Sequence, residues 1–362
     1  MLCIAMVSCQ DGITSPESSK QDEERGSEIQ QEITEVEGQL FGTLGGADSD
    51  AEAVNNLGQA VGASHNSAER FRAFLWDERE GMINLGSLDG DNESRAHDIN
   101  DKGQVVGYSL ISSGESRAFR WNETEGMCDL GTLGGDQSRA FGNNNHGYIV
   151  GESTTSSGEV RAVLWDENLD IIELGTFSGG NSSSALDIND QGEVVGSSHH
   201  SSGETRAFYW SEVHGMCDLG TLGGDYSEAR AINKHGQVVG ESRDADGNLR
   251  AFLWTEENGM TDLGTIFGET SEAWGINDEG LIVGQSMSTR HPEAFLWDEE
   301  NGMIRLTGFG ESTTVGSHAK DINNQRQVVG WSLHTSPGAE PGFDEDGIAG
   351  MWTLPMDYTV IE

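Results

Sequence analysis

From residue 37 onward the chain is written in short apolar runs broken by polar, glycine-rich stretches. In one representative stretch the runs are SRAHDIN, QVVGYS, SRAFRW and GMCDLG, between Ser94 and Gly131. β-Branched and aromatic residues are frequent in them, and none is long enough for a stable helix. They predict four short strands, here called a, b, c and d. The intervening turns carry their own chemistry. Asn-Asp-Lys-Gly joins a to b at Asn100–Gly103. Asn bonds backbone two residues on, and Gly takes the positive φ that closes a hairpin through a bulge. Ser-Ser-Gly-Glu joins b to c, and Asn-Glu-Thr-Glu-Gly joins c to d.

This unit recurs. Trp76, Trp121, Trp165, Trp210, Trp254, Trp297 and Trp352 mark one position, and Asn55, Asn100, Asn144, Asn189, Asn233, Asn277 and Asn323 another. Both markers count seven units. Four antiparallel strands in a unit of roughly 44 residues is the blade of a β-propeller. The ends support a ring. Nothing after Trp352 resembles GMCDLG, whereas Gly38–Gly46 (GQLFGTLGG), ahead of the first unit, does. An orphan strand d at one end and a missing one at the other predict a seven-bladed all-β propeller closed by an N-terminal strand, with no free sheet edge. Ser-x-Ala opens strand a in all seven units, placing small residues where blades converge, and Val-Val-Gly in strand b is expected to let neighbouring sheets approach. Arg326 stands where six units have the a–b turn glycine. A left-handed conformation there would cost about 1–2 kcal/mol.

Composition changes the picture in three ways. Gly is 50 of 362 residues and Pro only 5, which fits a turn-rich β protein rather than a Pro/Gly polymer. The formal charge is −42, which repels phosphate backbones and argues against nucleic acid as a partner. Residues 10–36 are polar and acidic and read as a disordered tether to the propeller of residues 37–362. The apolar start MLCIAMVSC, residues 1–9, is too short to span a bilayer. It reads as the end of a signal segment with a lipobox-like MVSC, making Cys9 a lipidation candidate. Cys128 and Cys217 fill the same slot two units apart, so they are expected to stay thiols.

Units of the form GMxDLGTLGGxxSxAxxINxxGQVVGxSxxxxGxxRAFLW resemble the HAF repeat family over residues 38–352. The family's His-Ala-Phe slot reads Arg-Ala-Phe from Arg72, Arg117, Arg206 and Arg250, Arg-Ala-Val from Arg161 and Glu-Ala-Phe from Glu293. The third unit lacks Gly-Met, and the seventh keeps only Ala and Trp of strand c. The resemblance implies an exported repeat protein and no catalytic residues.

Candidate chemistry is sparse. The seven VGxS serines lack the second glycine of a hydrolase elbow, and the Asp-Ile-Asn-Asp-Lys-Gly turn lacks the ligands of a calcium loop. Asp48, Asp91, Asp136, Asp225 and Glu269 precede strand a, and the long last b–c connection adds Asp344 and Asp346. In a propeller these loops share one face, where a carboxylate ring would attract Ca²⁺ or a cationic ligand. One strand-a position changes in every unit inside a nearly constant frame: Glu52, His97, Phe141, Leu186, Arg230, Trp274 and Lys320. These side chains are expected at the channel mouth, setting specificity. The reading is a monomeric, extracellular or cell-surface binding module, membrane-bound only through a lipid anchor, with a glycan or surface protein as ligand and no cofactor beyond Ca²⁺. Two alternatives stay open: a lyase or hydrolase at the channel mouth, using His97, Glu52, Arg230 and Lys320, and a structural spacer.

Overall fold

The computed structural model describes residues 32–33, 37–266, 268, 270–287, 291–306, 314–335, 345–355 and 360–361. Among them there is no helix. Six blades take their four antiparallel strands from consecutive sequence. Blade one comprises Gly45–Val54, Ala60–Asn66, Phe71–Asp77 and Gly81–Gly86, and blade two Ser94–Ile99, Val105–Leu110, Ser116–Asn122 and Gly126–Asp129. Blade seven takes Thr314–Ile322, Gln327–Thr335 and Glu345–Thr353 from the C-terminal region. Its fourth strand is Glu37–Leu40, with Gly38 opposite Trp352 and Leu40 opposite Gly350. The ring is therefore closed as expected, but the closing strand is shorter than Gly38–Gly46. Phe41 makes its last backbone bond to Ala349, Gly42 turns with φ +77°, and strand a of blade one has begun by Gly45. Blade three keeps its strand d, Ile171–Gly175, without the Gly-Met pair. Within the expected tether, Glu32 pairs with Arg305 at the edge of blade six, and Glu32–Ile33 pair with Val360–Ile361. Cys9, the rest of segment 1–31, Glu269 and Asp344 lie outside the described residues.

A single blade cannot bury both its faces, and the core is accordingly divided into seven clusters, one at each interface between neighbouring blades. Ala53, Val61 and Leu75 of blade one meet Ala96, Ile99 and Phe119 of blade two. Phe41, Trp76 and Phe74 meet Val329 and Met351 where blade one meets blade seven. Trp165 and Trp352 are fully buried, whereas Trp121 and Trp210 are half-buried.

Two rings of hydrogen bonds tie the blades together. Near the start of strand a, the Ser-x-Ala serine accepts the N–H of the strand-c alanine in the preceding blade, at 2.9–3.1 Å in all seven interfaces. In most blades its hydroxyl also donates to a glycine carbonyl, as Ser94 does to Gly86. At the end of strand a, the repeated asparagine caps its turn with Oδ1, which accepts from Leu57 and Gln59 in blade one. Its Nδ2 donates to the carbonyl of the next blade's asparagine. The links run Asn55 to Asn100 and onward to Asn323, which donates back to Asn55, at 2.8–3.2 Å.

The Val-Val-Gly glycine has a different role from the one expected. A Cβ on Gly107 would lie 2.0 Å from the carbonyl oxygen of Arg95, in strand a of its own blade. A bulge between Ala96 and Asp98 accompanies this close approach. The glycine admits a strand within the sheet, not a neighbouring sheet. Gly107→Ala is therefore expected to cost on the order of 3 kcal/mol through overpacking, read as a lower denaturant midpoint; an unchanged midpoint would contradict it. Arg326 does adopt φ +60°. Its guanidinium reaches Glu279 of blade six at 2.8 Å, which offsets part of the backbone strain.

Candidate functional site

Strand a alternates between buried positions and positions facing the inner wall. Its serine and alanine are buried at the blade interface, and the residue after the alanine is half-buried in every blade. The structure brings these variable side chains together in ring order. Arg230 of blade five lies 3.9 Å from the ring centre of Trp274 in blade six, and the Lys320 ammonium of blade seven lies 3.6 Å from it. Lys320 Nζ is also 3.7 Å from Glu52 Oε2 in blade one. His97 packs on Phe141 at 5.3 Å. Leu186 completes the ring as an apolar member. The ring is recessed, and its members already engage one another rather than projecting freely at a mouth.

Two further positions belong to this wall and were missed from sequence. One lies between Ser and Ala of strand a and the other follows Val-Val-Gly in strand b. Arg95 pairs with Asp50 of the preceding blade at 3.2 Å. Arg230 sits between Glu228 and Glu241, both at 3.1 Å. Gln285 Nε2 donates to Glu272 at 2.8 Å, and His318 stacks on Trp331 at 4.1 Å. The signal was available, because both positions vary between copies inside fixed frames, as the position after the alanine does.

Desolvation sets the protonation states. Burial pushes the Asp50 carboxyl up to about 6, helped by the negative charge of Glu52. Burial pushes the His97 imidazole down to about 4, against the pull of Glu52, and His318 down to about 3. Burial also raises Glu152 and Glu272. Both histidines are thus neutral near pH 7. Twelve buried side-chain polar atoms lack a hydrogen-bond partner among the described residues, and seven belong to this wall: those of His97, Arg139, Arg230, Glu241, Trp274, Gln285 and His318. Native proteins partner most such atoms, so their concentration here needs a reason. Glu241 and Gln285 are only 5% and 7% exposed.

Deeper along strand a, Asp98, Asp187 and Asp321 repeat one arrangement. Each carboxylate accepts its own strand's next N–H and an N–H of the following blade, as Asp187 does from Ile188 and Ile232. Burial raises all three, Asp187 to about 6, and Asp187 and Asp321 raise Asp98 further by their charge.

The expected carboxylate ring is not assembled among the described residues. Asp48 faces His65 at 3.3 Å, Asp91 faces Arg72 at 3.5 Å and Asp225 faces Arg243 at 3.2 Å, while Asp136 is exposed. Asp346 lies in strand c of blade seven. No group of three or more His, Cys, Asp or Glu side chains among the described residues is placed to hold a metal. Asp91 and Asp225 each meet an arginine of their own surroundings instead of one another. Cys128 and Cys217 are thiols, and the VGxS serines serve the fold: Ser109 accepts the N–H of Leu88.

No protein-family model matches the chain, and no curated protein matches it in sequence. Solved structures do. The β-propeller domain of the Trilobed protease from Pyrococcus furiosus, described as having an open velcro topology, is similar over 86% of this chain and 94% of its own, with TM-score 0.59 and 10% identity. Pyrococcus horikoshii acylaminoacyl peptidase is similar over 82% of this chain, with TM-score 0.52 and 11% identity. TolB from Acinetobacter baumannii matches over 68% of this chain, with TM-score 0.49 and 13% identity. The chain spans about half the length of that peptidase and 62% of that TolB. The likeness to the Trilobed protease domain and to the acylaminoacyl peptidase establishes the β-propeller fold and, at these identities, the fold alone.

Proposed function

We propose that the chain is an exported, HAF-type binding module whose recessed inner wall takes a small charged ligand. The observation that carries this reading is the concentration of unpartnered buried polar atoms on positions that differ from blade to blade. An unpaired buried group costs about 1–3 kcal/mol, and a ligand drawn in among these side chains removes that cost. The wall bears both signs, with Arg95, Arg139, Arg230 and Lys320 against Asp50, Glu52, Glu152, Glu228, Glu241 and Glu272. It therefore favours a ligand with charge of its own, such as an amino acid or an acidic sugar. On this reading the protein works outside the cell, attached through Cys9.

A panel of amino acids, amines and uronic acids, followed by calorimetry, tests it. A panel member is expected to bind at low salt, with at least tenfold loss in Lys320→Gln and none in Asp136→Asn. Failure of every member to bind, or equal effects of the two substitutions, would remove the proposal. The approach of Lys320, Glu52 and Trp274 also supports a second reading as an enzyme. Turnover of a bound panel member, abolished by Glu52→Gln with binding retained, would distinguish it.

A further inference from the structure

The opposite end of the channel holds a funnel of about 310 Å³ walled by the a–b turns. Its rim is a second ring of links outside the asparagine ring. The N–H following each repeated asparagine is bonded to the equivalent side chain of the next blade: Asn56 to Asp101, Asp101 to Asn145, Asn145 to Asp190, Lys234 to Asp278, Asp278 to Asn324 and Asn324 to Asn56. Among the described residues the step from Asp190 to Lys234 alone is missing. Lys234 has only donors and cannot accept the Asp190 N–H. Its ammonium turns instead to Asp278 at 3.1 Å.

A second irregularity lies on the same wall. Six blades place Val or Ile before the repeated asparagine, and blade three places Asn143. Asn143 is 7% exposed, and its Nδ2 donates to the Gln104 carbonyl, which assigns the other amide atom as the acceptor. That Oδ1 has no partner among the described residues. The funnel thus has one unmatched donor on blade four, and behind its wall on blade three one unmatched acceptor screened from solvent.

The wall's charges decide the ligand's charge. Its carboxylates are already engaged: Asp101 by Asn56, Asp190 by Asn145, Asp278 by Lys234 and Asn324, and Asp321 by Val54 and Ile322. Their negative charge repels an anion, and a cation, which has no lone pair to offer, cannot accept from the Asp190 N–H. The volume lies at the small end of ligand pockets, which span about 300–1,000 Å³, and so suits a ligand no larger than a single sugar ring. We propose that the funnel binds a small uncharged polyhydroxyl ligand, a monosaccharide in size, which accepts from the Asp190 N–H and donates to Asn143 Oδ1. That oxygen is screened from solvent, so binding turns the amide toward the funnel. The site is separate from the recessed inner wall and does not depend on it.

Two substitutions restore the chain's own pattern and so spare the fold. Lys234→Asn supplies the missing acceptor, and Asn143→Ile restores the apolar residue. Calorimetry of the full chain with glucose and N-acetylglucosamine, alongside putrescine and citrate, is the test. At least one sugar is expected to bind with affinity equal at low and high salt. Each substitution is expected to weaken it at least tenfold while the melting temperature holds or rises, and Lys320→Gln to leave it unchanged. Binding of neither sugar, equal affinity in the restored variants, or binding of only the charged probes would overturn the proposal.

Discussion

Removing Glu37–Phe41 is expected to lower the melting temperature by on the order of 10 °C and to broaden the transition. The segment supplies the outer strand of blade seven, from Glu37 opposite Thr353 to Leu40 opposite Gly350. It also supplies Phe41, which is buried and stacked on Trp76 with ring centres 4.2 Å apart. Losing the aromatic contributes about 1.5–3 kcal/mol, and each lost ladder bond about 1 kcal/mol. At roughly 2–4 °C per kcal/mol for domains of 150–250 residues, these account for the shift. Strand Glu345–Thr353 would also become a bare edge able to recruit other chains. The deletion does not open the ring completely. Asn323 still bonds Asn55, Asp321 still bonds Val54, and Ser49 still accepts from Ala349. Phe41→Ala, which keeps the ladder, should therefore fall between wild type and deletion. A melting curve unaffected by the deletion would show that the outer strand does not latch the ring.

Asp187→Asn is expected to become more stable relative to wild type as pH rises from 4 to 7.5, by on the order of 3 kcal/mol. The folded-state carboxyl is raised to about 6, chiefly by burial. A raised acid favours the fold while protonated, below its unfolded value, and that contribution is lost as pH climbs through the folded value. Asparagine does not ionise and escapes the loss. It carries a constant penalty of about 1 kcal/mol, because its amide nitrogen cannot accept one of the two N–H groups that Asp187 now holds. The wild-type profile alone is not a clean readout. His97 and His318, lowered to about 4 and about 3, contribute stability that appears as pH rises past their folded values. They oppose Asp50, Asp98, Asp187 and Asp321 over much of the same range. The difference between variant and wild type, from denaturant titrations at several pH values, reports Asp187 together with the charge it exerts on Asp98. A difference that stays flat with pH would show that this carboxyl is ionised in the fold at its ordinary value.

The strands of each blade were legible because apolar alternation, Asn-x-x-Gly turns and the repeat period all agreed. The N-terminal strand was legible as an orphan copy of strand d, although its end was placed too late. The phrase Thr43–Gly46 looks like the rest of strand d, yet the turn at Gly42 starts a new element. Of the inner wall, Glu52, His97, Phe141, Arg230, Trp274 and Lys320 could be found from their variability. Glu241, Gln285 and Glu272 could have been found the same way. That Lys320 would meet both Glu52 and Trp274 could not be, since those residues lie far apart in sequence.

By itself the sequence determined the blade, the count of seven and the means of closure, because these follow from local strand and turn preferences repeated at one period. Only the tertiary structure decided what the invariant polar residues do. Asn55 and Ser94 look like a turn former and a small filler within their own units. Their remaining hydrogen-bonding atoms find partners in the adjacent blade, and Asn323 finds Asn55 across the closure. Such bonds form only once separately folded sheets are held in register around an axis, and no local preference encodes that register.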